Sequence, residues 1–67
     1  MMTLGGRIRK IRKENQLTQM EFASELRISR PHVTNIENGK EKPSGTLVRL
    51  ISELFKVDES WINSGRD

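Results

Sequence analysis

The sequence of this 67-residue chain predicts an all-α fold, a compact bundle of five short helices. Three observations lead there. Apolar residues recur at intervals of three and four and nowhere alternate as a strand requires. Thr, Ser or Asp stands ahead of four of the periodic segments, where a helix N-terminus needs a side-chain acceptor. No internal repeat or low-complexity segment interrupts the pattern.

Leu4, Ile8 and Ile11, at i, i+4 and i+7, form one stripe of a first amphipathic helix, with Gly5-Gly6 ahead of it and an end near Asn15. Its other faces carry Arg7, Arg9, Lys10, Arg12 and Lys13. Thr18-Gln19-Met20-Glu21 reads as a capping box: the Thr18 hydroxyl accepts from the Glu21 amide, and the Glu21 carboxylate reaches back to Thr18. Phe22, Ala23 and Leu26 then make the buried side of a second helix. Arg27-Ile28-Ser29 interrupts, Ser29 is a favoured N-cap, and Pro31 sits in a first turn, where a missing N–H costs nothing. Val33 and Ile36 give the third helix one narrow apolar edge, and Asn38-Gly39 ends it with a residue suited to the left-handed conformation. The remaining positions, Arg30, Pro31, His32, Thr34 and Asn35, are almost all polar, so this helix is presented to something outside the fold.

Lys40 to Pro43 is a loop and Ser44 the next N-cap. Leu47, Leu50, Ile51, Leu54 and Phe55 have the strongest periodicity in the chain, which makes the fourth helix the main core element. Asp58 caps a last short helix carrying Trp61 and Ile62, which either close the core or form a dimer surface.

A chain this short makes one domain, residues 1–67, with little apolar surface to bury. There is no cysteine and a single histidine, His32, so neither a disulfide nor an ordinary zinc site can be built. No paired carboxylates on an apolar face and no Gly-rich phosphate loop are present, and we expect no catalytic residue, metal or cofactor. No apolar run reaches membrane-spanning or signal-peptide length, so a cytoplasmic protein without a membrane partner is expected. The net charge is +3. Residues 1–42 hold nine Lys/Arg against five Glu, whereas residues 43–67 hold three against four acids. Such asymmetry suits a polyanionic partner.

The stretches Leu17-Thr18-Gln19, Phe22-Ala23, Ile28-Ser29, Ile36-Glu37-Asn38-Gly39-Lys40 and Pro43-Ser44 together resemble the phage-repressor (Xre/Cro-type) helix-turn-helix family, as does the close Phe55-Lys56-Val57 with Ser60-Trp61-Ile62. The resemblance covers nearly the whole chain. One departure is Arg27, where the family usually has glycine; at positive φ it costs roughly 1 kcal/mol relative to glycine.

The resemblance implies a lambda-repressor-like domain whose third helix, from about Ser29 to Asn38, lies in the major groove. By position, Ser29, Arg30, Pro31, Thr34 and Asn35 are the candidate base contacts. Arg30 can donate twice to guanine O6 and N7, and Asn35 can bind adenine bidentately. Pro31 packs on a thymine methyl or stiffens the helix start. Thr18, Gln19, His32, Asn38, Lys40 and Lys42 are the candidate phosphate contacts, which position rather than specify. Arg12 and Glu37 match a structural ion pair of the family. The implied partner is a double-stranded operator of two-fold symmetry, bound by a homodimer on half-sites about 10–10.5 bp apart, with no small-molecule ligand. The implied role is transcriptional regulation, as a repressor of phage or mobile-element type. The fold leaves open a second reading, a protein-interaction module such as an antitoxin.

Overall fold

The computed structural model describes residues 2–66. It contains five helices and no strand among them: α1 (Leu4–Glu14), α2 (Gln19–Leu26), α3 (Arg30–Glu37), α4 (Gly45–Phe55) and α5 (Glu59–Ser64). Each begins at a capping side chain. Thr3, Thr18, Ser29 and Ser44 accept from the amide three residues on, and Asp58 from the amide two residues on. Both halves of the Thr18–Glu21 capping box are made, at 3.0 and 2.8 Å.

Four helix ends share one device, α3 with Gly39 at φ +79° and the Lys40 amide on the Asn35 carbonyl, the other three with a residue other than glycine. Gln16, Arg27 and Lys56 take φ of +58°, +58° and +59°, the left-handed conformation that follows a helix. In each case the next amide returns to a carbonyl five residues back: Leu17 to Arg12, Ile28 to Ala23, Val57 to Ser52. The turn between α2 and α3 is therefore built on a non-glycine residue at positive φ.

α2 and α3 pack on each other, α1 lies against α3 and α5, and α4 packs on α5 and α2. The core draws Ile8 and Ile11 from α1, Phe22, Ala23 and Leu26 from α2, Val33 and Ile36 from α3, Leu47, Val48 and Ile51 from α4 and Ile62 from α5. Phe22 and Phe55 meet as a tilted ring pair with centroids 5.5 Å apart.

Two expectations change here. Gly5 and Gly6 lie inside α1 rather than ahead of it, because Thr3 caps the helix. Gly5 is where α1 touches the end of α3: an added Cβ would collide with the Ile36 carbonyl oxygen and stand 2.8 Å from that of Glu37. On α4 the buried stripe is rotated from the expected one. Val48 is buried and Leu54 is 45% exposed, because the helix packs on both α2 and α5.

Candidate nucleic-acid interface

α3 buries only Val33 and Ile36. Its first turn is pre-shaped by Ser29, whose hydroxyl accepts from the His32 amide at 3.2 Å, and by Pro31, which lacks an amide to satisfy. Arg30 and Pro31 are exposed, and His32, Thr34 and Asn35 are partly exposed. Four of the five candidate base-reading residues are thus carried on one short helix, and the fifth, Ser29, caps it.

The inner side of that helix is fastened by a chain of polar bonds. Arg12 of α1 grips Glu37 of α3 with both branches of its fork, Nε to Oε2 at 2.7 Å and Nη2 to Oε1 at 3.0 Å. The two side chains are 10% and 3% exposed, so the pair is desolvated. Arg12 Nη1 also donates to the Leu17 carbonyl in the α1–α2 connection. Glu37 Oε1 accepts a further bond from Gln19 Nε2 at 3.1 Å, and Gln19 Oε1 lies 3.1 Å from the Thr34 hydroxyl. The sequence Arg12–Glu37–Gln19–Thr34 therefore ties α1, α2 and α3 into one unit. Every buried side-chain polar atom among the described residues has a partner.

This network takes up two side chains expected at DNA. The Gln19 carboxamide is bonded at both ends, and the Thr34 hydroxyl is shared between Gln19 and the Arg30 carbonyl. Gln19 keeps its backbone N–H, which as the first amide of α2 has no intrahelical acceptor. Thr18 is committed to its capping box in the same way.

Asn38, Lys40 and Lys42 are exposed in the stretch after α3, with Gly39 at φ +79° reversing the chain. Ile62 is fully buried, at 0% exposure, and takes the core role of the two open to it; only Trp61 retains surface, and Lys10 Nζ lies 6.0 Å from its ring.

Two participants escaped the sequence reading. Arg7, counted there with the cationic surface, is spent on the fold: Nε donates to the Ile62 carbonyl at 2.8 Å and Nη2 to that of Asn63 at 3.1 Å, closing the end of α5. Glu41 bonds Asn35 across the loop. Neither has a local signal, since the first joins residues 55 and 56 positions apart and the second depends on a loop conformation.

Among the described residues no helix is long and apolar enough to cross a membrane, and no group of three His, Cys, Asp or Glu is placed to hold a metal.

A helix-turn-helix family model matches residues 8–62. The chain is 34% identical over 61 residues to the immunity repressor protein of Bacillus phage phi105, covering 91% of this chain and 42% of that protein. It is 39% identical over 54 residues to the antitoxin PezA of Streptococcus pneumoniae, covering 81% and 34%. It is 34% identical over 64 residues to the HTH-type transcriptional regulator DicA of Escherichia coli, covering 96% and 47%. The chain spans less than half the length of each of these relatives. No solved structure gives a significant match.

Proposed function

Because this chain belongs to the Xre-type helix-turn-helix family, we propose that it binds double-stranded DNA as a transcriptional regulator, with residues 1–67 as one DNA-binding domain. The observation that carries this reading is the contrast between the two sides of α3. One side is locked to α1 and α2 by buried polar bonds, and the other carries Arg30, Pro31 and Asn35 with no apolar cover. A helix about 10–12 Å across fits a major groove about 12 Å wide.

In this reading Arg30 donates both N–H groups to a guanine edge and Asn35 reads adenine. The Ser29 hydroxyl and Pro31 meet the bases at the helix start, and the Thr34 methyl meets a thymine methyl while its hydroxyl stays on Gln19. The amides at the start of α2, beside Thr18 and Gln19, hold one phosphate. His32, Asn38, Lys40 and Lys42 hold others on the far side. One such domain buries only about 600–1,000 Å² on DNA, so two copies act together on half-sites about 10–10.5 bp apart, with Trp61 near their contact. The protein works in the cytoplasm, on the nucleoid when bound, and represses by occupying an operator against polymerase. It supports no catalysis and needs no cofactor.

Selection of binding sites from random duplex tests this directly. The expected product is a two-fold symmetric site whose affinity falls steeply with salt. Folded protein retained by no duplex at low salt would overturn it. The likeness to an antitoxin supports a second reading, in which the main partner is a folded protein; salt-insensitive capture of that partner, with no duplex bound, would favour it.

A further inference from the structure

The loop after α3 folds back over the helix it leaves. The Asn35 carbonyl accepts from both the Lys40 amide at 2.8 Å and the Glu41 amide at 3.2 Å. That return lays the Glu41 side chain beside the outward face of α3. Its Oε1 accepts from Asn35 Nδ2 at 3.0 Å, and its Oε2 lies 3.5 Å from His32 Nε2. A carboxylate thus stands between two side chains of a surface meant for a polyanion.

The chemistry of that contact is one-sided. An ionised carboxylate only accepts hydrogen bonds, so it admits the NH2 end of the Asn35 amide and repels the Oδ1 end. The amide is held in one of its two flips. Nδ2 keeps a second N–H, and Oδ1 stays open to accept. Those are the two groups that adenine N7 and N6–H take in the major groove. A carboxylate at this position also opposes phosphate, which weakens binding to any sequence that does not repay it with a base contact.

We propose that Glu41 is a specificity-determining residue that acts through Asn35, fixing the orientation of its amide so that this position reads adenine. The inference rests on the DNA-binding reading above and deepens it. Glu41 trades overall affinity for discrimination at one base pair.

Site selection with wild type, Asn35→Ala, Glu41→Ala and Glu41→Gln tests it. Asn35→Ala marks the base pair that Asn35 reads. Glu41→Ala is expected to lose about fivefold or more of the preference for A·T there, the lower end of what one bidentate contact discriminates, and to bind random duplex more tightly. Glu41→Gln, whose amide can accept from Nδ2 or donate to Oδ1, no longer selects one flip and is expected to lose the preference as alanine does and to share the tighter random binding. Glu41 is exposed, and matching circular dichroism spectra and melting temperatures establish that each variant is folded. If wild type selects a site and Glu41→Ala leaves the preference unchanged, the inference falls and the DNA-binding reading stands. It falls equally if Glu41→Gln keeps the full preference, or if Asn35→Ala alters no position. Wild type that selects no site overturns the underlying reading and this inference with it.

Discussion

Glu37→Gln removes one charge from the brace behind α3 while keeping the volume and shape of the side chain. Arg12 then remains in place, with its side chain 10% exposed and its carboxylate partner gone. Breaking a buried pair from one side costs about 3–5 kcal/mol, because the surviving charge is neither solvated nor compensated. Arg12 keeps the Leu17 carbonyl at 3.0 Å, and glutamine keeps one carbonyl oxygen, so the lower end, about 3 kcal/mol, is expected. A 67-residue domain holds about 3–10 kcal/mol in all, and the variant therefore loses about 30% of its stability or more. Urea unfolding followed by circular dichroism measures this. With a slope of about 1 kcal/mol per molar for so small a chain, the midpoint drops by about 3 M; a variant already unfolded in buffer is the extreme of the same outcome. Arg12→Met with Glu37→Met, which removes both charges, is expected to be more stable than the single variant. A loss below about 1 kcal/mol for Glu37→Gln, the range of exposed pairs, would refute the claim that this pair is desolvated.

Gly5→Ala drives a Cβ into the Ile36 carbonyl oxygen, so α1 and α3 must separate; a loss of about 1–3 kcal/mol by denaturant unfolding is expected. Arg27→Gly relieves a non-glycine residue at φ +58° and is expected to add up to about 1 kcal/mol, a rise of about 4–8 °C in calorimetry. A fall in melting temperature would show that Arg27 supports the turn by other means. Arg30→Ala is expected to cost about 1–3 kcal/mol on the selected site and to relax one base pair; an equal loss on every duplex would place Arg30 at phosphate instead. Lys40→Ala is expected to weaken binding to all duplexes alike and to reduce the salt slope by about one unit.

The boundaries of α2 and α3 were legible because caps are local: Thr18 with Glu21, and Ser29 with Pro31, carry their meaning within four residues. The left-handed turn at Arg27 was reached only through the resemblance to a family that usually has glycine there; nothing local in Arg27-Ile28-Ser29 signals it. The rotation of α4 was not. Leu47, Val48, Leu50, Ile51, Leu54 and Phe55 are all apolar, so two overlapping stripes satisfy the helical period, and only the placement of α2 and α5 selects between them. Gly5 misled because its helix propensity is poor, whereas its missing Cβ is what the α1–α3 approach requires. At the site, the residues on α3 could be named from their register. Which of them are already occupied could not, since the bonds of Gln19 to Glu37 and of Glu41 to Asn35 join different segments.

The occupied residues also change what the positive charge means. Of the nine Lys/Arg in residues 1–42, Arg7 and Arg12 are fixed by directed bonds to carbonyls and a carboxylate. Both are arginines, whose planar fork suits several acceptors at fixed angles. Lys40 and Lys42 are exposed lysines, and a compact ammonium charge suits a phosphate without a set geometry. The charge asymmetry that suggests a polyanion is thus partly a scaffold feature. Had all nine cations been free, the same composition would have indicated a strongly salt-dependent, indiscriminate binder. On the DNA-binding reading proposed above, with two withdrawn into the fold and Glu41 set against Asn35, discrimination would come from few contacts held rigidly, which would make the buried bonds behind α3 matter as much as the side chains in front of it.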